Sequence, residues 1–328
     1  GSAVRGLWLL GVALAASAAL AATPAWAQGE EFAPIGARHD DATRYRLPFR
    51  LDMPQLLTQG VGGGMTHDGA DHYAFDFAMP EGTEVLASRN GTVAQVIDGV
   101  SEGGLEPRHR GPGNAVKVLH ADGTFGGYFP LRRGIAVKGG QEVRAGDRLG
   151  WSGRTGYASG PHLHFAVYRR ISETTVASVP IRFGVGSPRG FVPEVGQFYG
   201  ALPRTNATLR IATTGGAIDE HSPLQLARGA AAQLAVTLLT PGGAERDVTR
   251  SPATSYFGPV AWTTTVSDGG EVRAAPTPDF AAFLRDLPAE RRSEEWNTWG
   301  VVVVRHEDPE AGLRAFTSIP VVIDDAQR

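Results

Sequence analysis

Ser159-Gly160-Pro161-His162-Leu163-His164-Phe165 is the stretch whose reading decides the fold. Two histidines stand two residues apart, behind a Gly-Pro turn and ahead of an apolar run from Phe165 to Tyr168. That run reads as a β-strand, and on a strand residues i and i+2 point to the same face. Both imidazoles therefore project together from one sheet, a rigid support of the kind metal sites use.

Upstream, His72-Tyr73-Ala74-Phe75-Asp76 adds a histidine and a carboxylate four residues apart. His72, Asp76 and His164 make a two-histidine, one-carboxylate set. Such a set leaves a fourth tetrahedral position for water, as catalytic zinc requires.

Composition narrows the classes of function. The chain has 328 residues, of which 42% are apolar and 20% charged, which fits two globular domains. A net charge of −3 gives no basic footprint for nucleic acid. There is no cysteine, which excludes disulfides, iron–sulfur clusters, thiolate zinc sites and thiol catalysis.

The N-terminal text sets the expected compartment. Arg5 precedes an apolar run from Gly6 to Ala22, and Ala25-Trp26-Ala27 stands before Gln28. A charged start, an apolar core and an A-x-A site read as a secretory signal peptide over residues 1–27, cleaved after Ala27. The run is short for a membrane span, so the processed chain is expected to be secreted or periplasmic, with no stable transmembrane segment. The polar text over 28–44 reads as a linker.

From residue 45 to about 195, turns at Gly62-Gly63-Gly64, Asn90-Gly91, Asp122-Gly123 and Gly139-Gly140 separate short apolar runs. Thr92 to Ile97 and Ala115 to Leu119 read as strands, and no long helical period interrupts them. Gly103 to Asn114 reads as a surface loop. Over 205–328 the texture changes. Leu224–Leu226, Ala232–Leu239, Asp247–Thr249, Val260–Val266, Val301–Arg305 and Ile319–Ile323 read as strands, with one helix at Pro278–Leu287. The expected fold class is all-β: an antiparallel sheet domain followed by a small Ig-like β-sandwich. The second module holds no cluster of histidine and carboxylate, and His221 and His306 stand isolated.

Beyond the two histidine motifs, the middle of the chain carries Pro80-Glu81-Gly82-Thr83-Glu84-Val85, Asn90-Gly91-Thr92-Val93, Gly113-Asn114, Ala145-Gly146-Asp147-Arg148-Leu149-Gly150 and Thr155-Gly156-Tyr157-Ala158. In order and spacing these resemble the M23 family of zinc metallopeptidases, of the lysostaphin and LytM type, over residues 60–170. The resemblance implies that His72, Asp76 and His164 bind Zn2+ and that His162 acts beside it as general base or hydrogen-bond donor. His67, nine residues before Asp76, is the alternative first ligand; the shorter spacing favours His72. It also implies peptidoglycan peptides as substrate.

One position departs from the family pattern. A Tyr-x-His-Leu is expected after the Asp-Gly turn, and the text is Tyr128-Phe129-Pro130-Leu131. Pro130 offers neither donor nor base. His120, across the hairpin, is a candidate substitute. The expected function is a zinc endopeptidase. The rival is a catalytically impaired module that binds zinc or wall peptide and scaffolds or regulates partner wall hydrolases. A lipoyl-like carrier barrel shares the texture around Val143–Gly150, but its attachment lysine would be Lys138 in a poor context, and the histidines would go unexplained.

Overall fold

The computed structural model describes residues 30–63, 66–105, 107–109, 113–158, 160–201, 204–286, 288 and 298–324. The expected signal peptide over 1–27 lies outside the described residues, as does Ser159.

The first unit is built on one nine-stranded antiparallel sheet. In chain order its strands are β1 (Gln55–Gln59), β2 (Phe75–Ala78), β3 (Gly91–Ile97), β4 (Asn114–Leu119), β5 (Phe125–Leu131), β6 (Glu142–Val143), β7 (His162–Arg170), β8 (Val176–Ser178) and β9 (Phe198–Tyr199). They run across the sheet as β9-β1-β2-β7-β5-β4-β3-β6, with β8 also paired to β7. The expected strands over Thr92–Ile97 and Ala115–Leu119 fall inside β3 and β4.

β7 is central and covered on both faces, which explains why its text is an almost unbroken apolar run. The two faces nevertheless differ. Leu163, Phe165 and Val167 enter the main core with Phe75, Phe77 and Tyr128. Ala166 and Tyr168 belong to a smaller cluster with Ala33, Ala74, Phe125 and Val176. The histidines at 162 and 164 share this second face by alternation. Gly127 makes room there: a Cβ on it would stand 2.9 Å from the Tyr168 ring.

From residue 30 on, the segment expected as a linker over 28–44 is mostly irregular but not loose. Glu30 and Ala33 are buried, and Phe32 meets Phe125 edge-on at 5.2 Å. Glu30 pairs with the buried ammonium of Lys117 on β4. Apolar side chains and one buried ion pair hold it against the second sheet face; a polar average over the segment hides both.

The second unit has three sheets around one apolar core that includes Leu209, Val236, Val272, Val304 and Ile319. Its longest pairing joins Trp299–Asp308 to Leu313–Asp324. The helix runs from Pro278 to Asp286, with proline in the first turn where its missing N–H costs nothing; Leu287 lies outside the described residues. Three strand expectations change. Around Asp247–Thr249 the strand is Glu245–Asp247 and ends where the expected one begins. Ala232–Leu239 is split at Leu234 into Ala231–Gln233 and Ala235–Leu239. Over Val260–Val266 only Thr265–Val266 is a strand, because a turn with Thr263 and Thr264 N–H on the Val260 carbonyl occupies the start.

The two units touch. An Arg314 guanidinium N–H lies 3.3 Å from Met53 Sδ, and Arg314 is 3.9 Å from Asp52. Among the described residues no helix is long and apolar enough to cross a membrane.

Candidate metal centre

Antiparallel pairing places His164 directly opposite Asp76. Directly paired residues on neighbouring strands hold their Cβ atoms about 4.5–5.5 Å apart, so these two groups meet without any loop to position them. His164 Nδ1 is 3.0 Å from Asp76 Oδ1. His67 reaches the same oxygen from the β1–β2 loop, its Nε2 at 3.1 Å. One donor atom from each of His67, Asp76 and His164 lies within 4.8 Å of the others, and all three residues are buried.

The expected first ligand, His72, is not in this group. It ends a short 3-10 turn over Gly69–Asp71, is exposed, and packs its ring edge-on to Tyr73 at 4.6 Å. A four-residue spacing counts along one regular element, but here it crosses from a turn into β2, and the turn rotates His72 outward. His67 is brought in because the loop folds back over the sheet. Gln59 fastens that fold: its Oε1 accepts from the Thr66 and His67 N–H groups at 2.8 and 3.3 Å. Its Nε2 donates to Asp76 Oδ2 at 2.8 Å. The register of β1 against β2 shifts between Leu57 and Gln59, and such a bulge re-aims the side chain beside it.

The surrounding hydrogen bonds orient each donor. His67 Nδ1 lies 2.8 Å from the Gly60 carbonyl, which takes its N–H and leaves Nε2 as the nitrogen with a lone pair to offer. That Nε2 is buried and has no hydrogen-bond partner, although Asp76 Oδ1 stands 3.1 Å away. His164 Nε2 meets the Tyr168 hydroxyl at 2.9 Å, and that hydroxyl donates to Asp71 Oδ1 at 2.8 Å. Nδ1 of His164 is thereby the nitrogen turned toward Asp76. Gln59 occupies one Asp76 oxygen and leaves the other to the two imidazoles.

Charge follows the same geometry. Burial opposes ionisation of Asp76, but His67 and His164 outweigh it and hold the carboxyl well below its usual range. Burial likewise works against a charged His164, yet Asp71 and Asp76 together push it up to about 10. A buried carboxylate held ionised between two imidazoles, one of them with an orphaned nitrogen, fits a divalent cation bound by two nitrogens and one oxygen, a donor set typical of zinc.

His162 stands two residues before His164 on the same face and is half-buried. Its Nδ1 is 2.8 Å from the Gly160 carbonyl, which fixes Nδ1 as donor and leaves Nε2 as an acceptor. It lines a cavity of about 360 Å³ together with Asp76, Gln59 and Thr66.

His120 lies elsewhere. It follows β4, with Nδ1 on the Asn90 carbonyl at 2.8 Å and its ring edge-on to Tyr45 at 6.2 Å. Burial lowers it to about 4, so it is a neutral core histidine and no substitute for a missing catalytic one. At the departure from the family pattern, Phe129 faces His164 across the sheet and stacks on its ring, centroids 4.4 Å apart. Pro130 is buried, and its carbonyl accepts from Gly153 N–H.

Sequence reasoning missed Gln59, Asp71, Tyr168 and Phe129. Tyr168 could have been found, since it is two more alternations along β7 from His164. The other three depend on register, a bulge and a loop path that spacing does not encode.

Residues 70–177 match the model of peptidase family M23. The chain is 39% identical over 129 residues to peptidoglycan DD-endopeptidase ShyA of Vibrio cholerae, which covers 39% of this chain and 27% of that protein. It is 34% identical over 116 residues to glycyl-glycine endopeptidase ALE-1 of Staphylococcus capitis, covering 35% of this chain and 30% of the relative. The chain thus spans about a third or less of the length of these relatives. Among solved structures, the catalytic domain of lysostaphin from Staphylococcus simulans aligns at 30% identity over 43% of this chain and 95% of that one, with a TM-score of 0.26. Residues 70–177 are a peptidase family M23 domain.

Proposed function

We propose that this protein is a zinc metalloendopeptidase, secreted or periplasmic, that hydrolyses peptide bonds of peptidoglycan. The observation that carries the reading is the buried convergence of His67, Asp76 and His164, with a His67 nitrogen left without a hydrogen bond. The substrate class rests on the wall endopeptidases to which the domain is similar.

His67 Nε2, Asp76 Oδ1 and His164 Nδ1 would hold the metal. Zinc in such a site supplies Lewis-acid polarisation of a carbonyl and lowers the pKa of water toward about 7. The chain's own residues do the rest. His162 Nε2 accepts the proton of the attacking water as its oxygen bonds to the scissile carbonyl carbon. The same proton then passes to the departing amine as the C–N bond breaks. Gly160 keeps the imidazole in the tautomer this needs. Gln59 holds Asp76 and the His67 loop in one arrangement, and Asp71 with Tyr168 does so for His164.

The test is muropeptide release from purified sacculi, with and without a zinc chelator. Release that the chelator stops and added zinc restores is expected; release unaffected by chelation overturns the metal mechanism.

A second reading, an impaired module that binds zinc or wall peptide and regulates partner hydrolases, is favoured by Phe129-Pro130. Where the family pattern has a histidine, this chain has a buried proline and an aromatic ring lying on His164. A missing oxyanion donor is worth about 10²–10³ in rate. No release from sacculi, together with retained zinc and retained muropeptide binding, selects this reading.

A further inference from the structure

The cavity beside the metal centre is not closed by the M23 domain alone. Its opposite side belongs to the second unit: Phe257, Trp262, Phe280, Phe283 and Trp299 face Asp76 and His162 across it. Phe280 is buried and anchors the others, with ring centroids 5.7 Å from Trp262 and 5.6 Å from Phe283. Trp262 and Phe283 remain partly exposed toward the space. The contact between units runs up to the catalytic loop: a Cβ on Gly160 would stand 3.6 Å from the Ala261 methyl. Gly160 is the residue whose carbonyl holds His162.

The lining has a distinct chemistry. Apart from Asp76 and His162 it carries no charged or titratable side chain, and no lysine or arginine reaches it among the described residues. On one side lie the centre and the amide and hydroxyl of Gln59 and Thr66; on the other lie flat rings. A carboxylate laid against those rings would lose its water without gaining a partner. Amide planes and small aliphatic groups would instead cover ring faces at no such cost. About 360 Å³ is a volume in the range of small-molecule and peptide subsites.

We propose that the 257–262 loop and the Pro278–Asp286 helix form the far wall of the substrate cleft. There Trp262 and Phe283 stack on the uncharged, small-residue part of the peptide beside the cleaved bond. The second unit is then part of the peptide site and sets which chains fit, although it carries no catalytic group. This rests on the peptidase reading for the identity of the chain that lies in the cleft.

The test is binding of a purified, soluble, cross-linked muropeptide to zinc-loaded full-length protein. All samples carry His162→Gln to suppress turnover, and affinity is read by titration calorimetry. Trp262→Ala and Phe283→Ala should each weaken binding about tenfold, Trp262→Phe should stay within about threefold of the parent, and zinc content and melting temperature should not move. Equal affinities in the parent and both alanine variants would overturn the wall, as would a parent that binds no muropeptide. Sacculus hydrolysis by the wild type, measured separately, decides the peptidase reading. Hydrolysis with equal affinities removes the wall alone, and weakened binding without hydrolysis keeps the wall and removes the enzyme.

Discussion

The two units of this chain are both β-built around apolar cores, and they spend burial differently. The second unit buries branched and aliphatic side chains almost exclusively; His306, on Thr254 Oγ1 at 2.8 Å, is its one buried histidine among the described residues. The M23 unit buries His67, Asp76, His164, His120, Glu30 and Lys117 within and against its nine-stranded sheet. Buried polar and charged groups cost free energy unless fully partnered. The first unit therefore carries that cost around a site and along its supporting face, while the second carries less of it, at His306 and a few buried threonines, and offers rings. Chemistry needs the first arrangement; a shaped, uncharged wall needs only the second.

The contrast is sharpest at the Glu30–Lys117 pair, where the ammonium is buried. Removing one partner leaves a buried carboxylate uncompensated, which typically costs about 3–5 kcal/mol. Lys117→Met should lower stability by that order in chemical denaturation, and Glu30→Gln combined with Lys117→Met should recover much of it. A loss below about 1 kcal/mol for Lys117→Met would mean that the N-terminal segment is not docked through this pair.

His120 predicts an acid-sensitive first unit. Its folded pKa is about 4, depressed first by burial, against an ordinary value of 6.5. The unfolded chain therefore takes up the proton first. The stability that neutral His120 contributes is complete above pH 6.5, falls as pH drops from 6.5 toward 4, and is gone below. The integrated effect is at most about 3 kcal/mol. Denaturant midpoints measured across that window should drop for the wild type and drop less for His120→Leu. His306 is lowered in the same direction, also by burial, so a residual slope in the variant belongs to the second unit.

Gln59→Ala tests whether the loop fastening matters to the metal. Outer partners of ligating groups are worth about 10–100-fold in metal affinity, and competition with a chromogenic zinc chelator should read a loss in that range. Unchanged affinity would leave Gln59 a loop staple with no bearing on the site.

The all-β class and the meeting of His164 with Asp76 were legible in the sequence, for a physical reason. His164 and Asp76 sit on adjacent regular strands, where a period of two and direct pairing translate text into geometry. The helix at Pro278 was legible through its proline and its period. His67 was legible only as the alternative to His72, because it lies on a loop whose path is set by a bulge at Gln59 and by hydrogen bonds to one amide. Neither leaves a spacing signal, and the nearer histidine, His72, matches the family pattern better. The aromatic wall was invisible for another reason: Trp262, Phe283 and Trp299 meet His162 only when the second unit packs beside Gly160.

Zinc stoichiometry of purified variants tests the central claim directly. The wild type should carry one zinc per chain by elemental analysis after dialysis against trace zinc. His67→Ala should lose it, and His72→Ala should retain it in full. Zinc retained in His67→Ala and lost in His72→Ala would contradict the site described here.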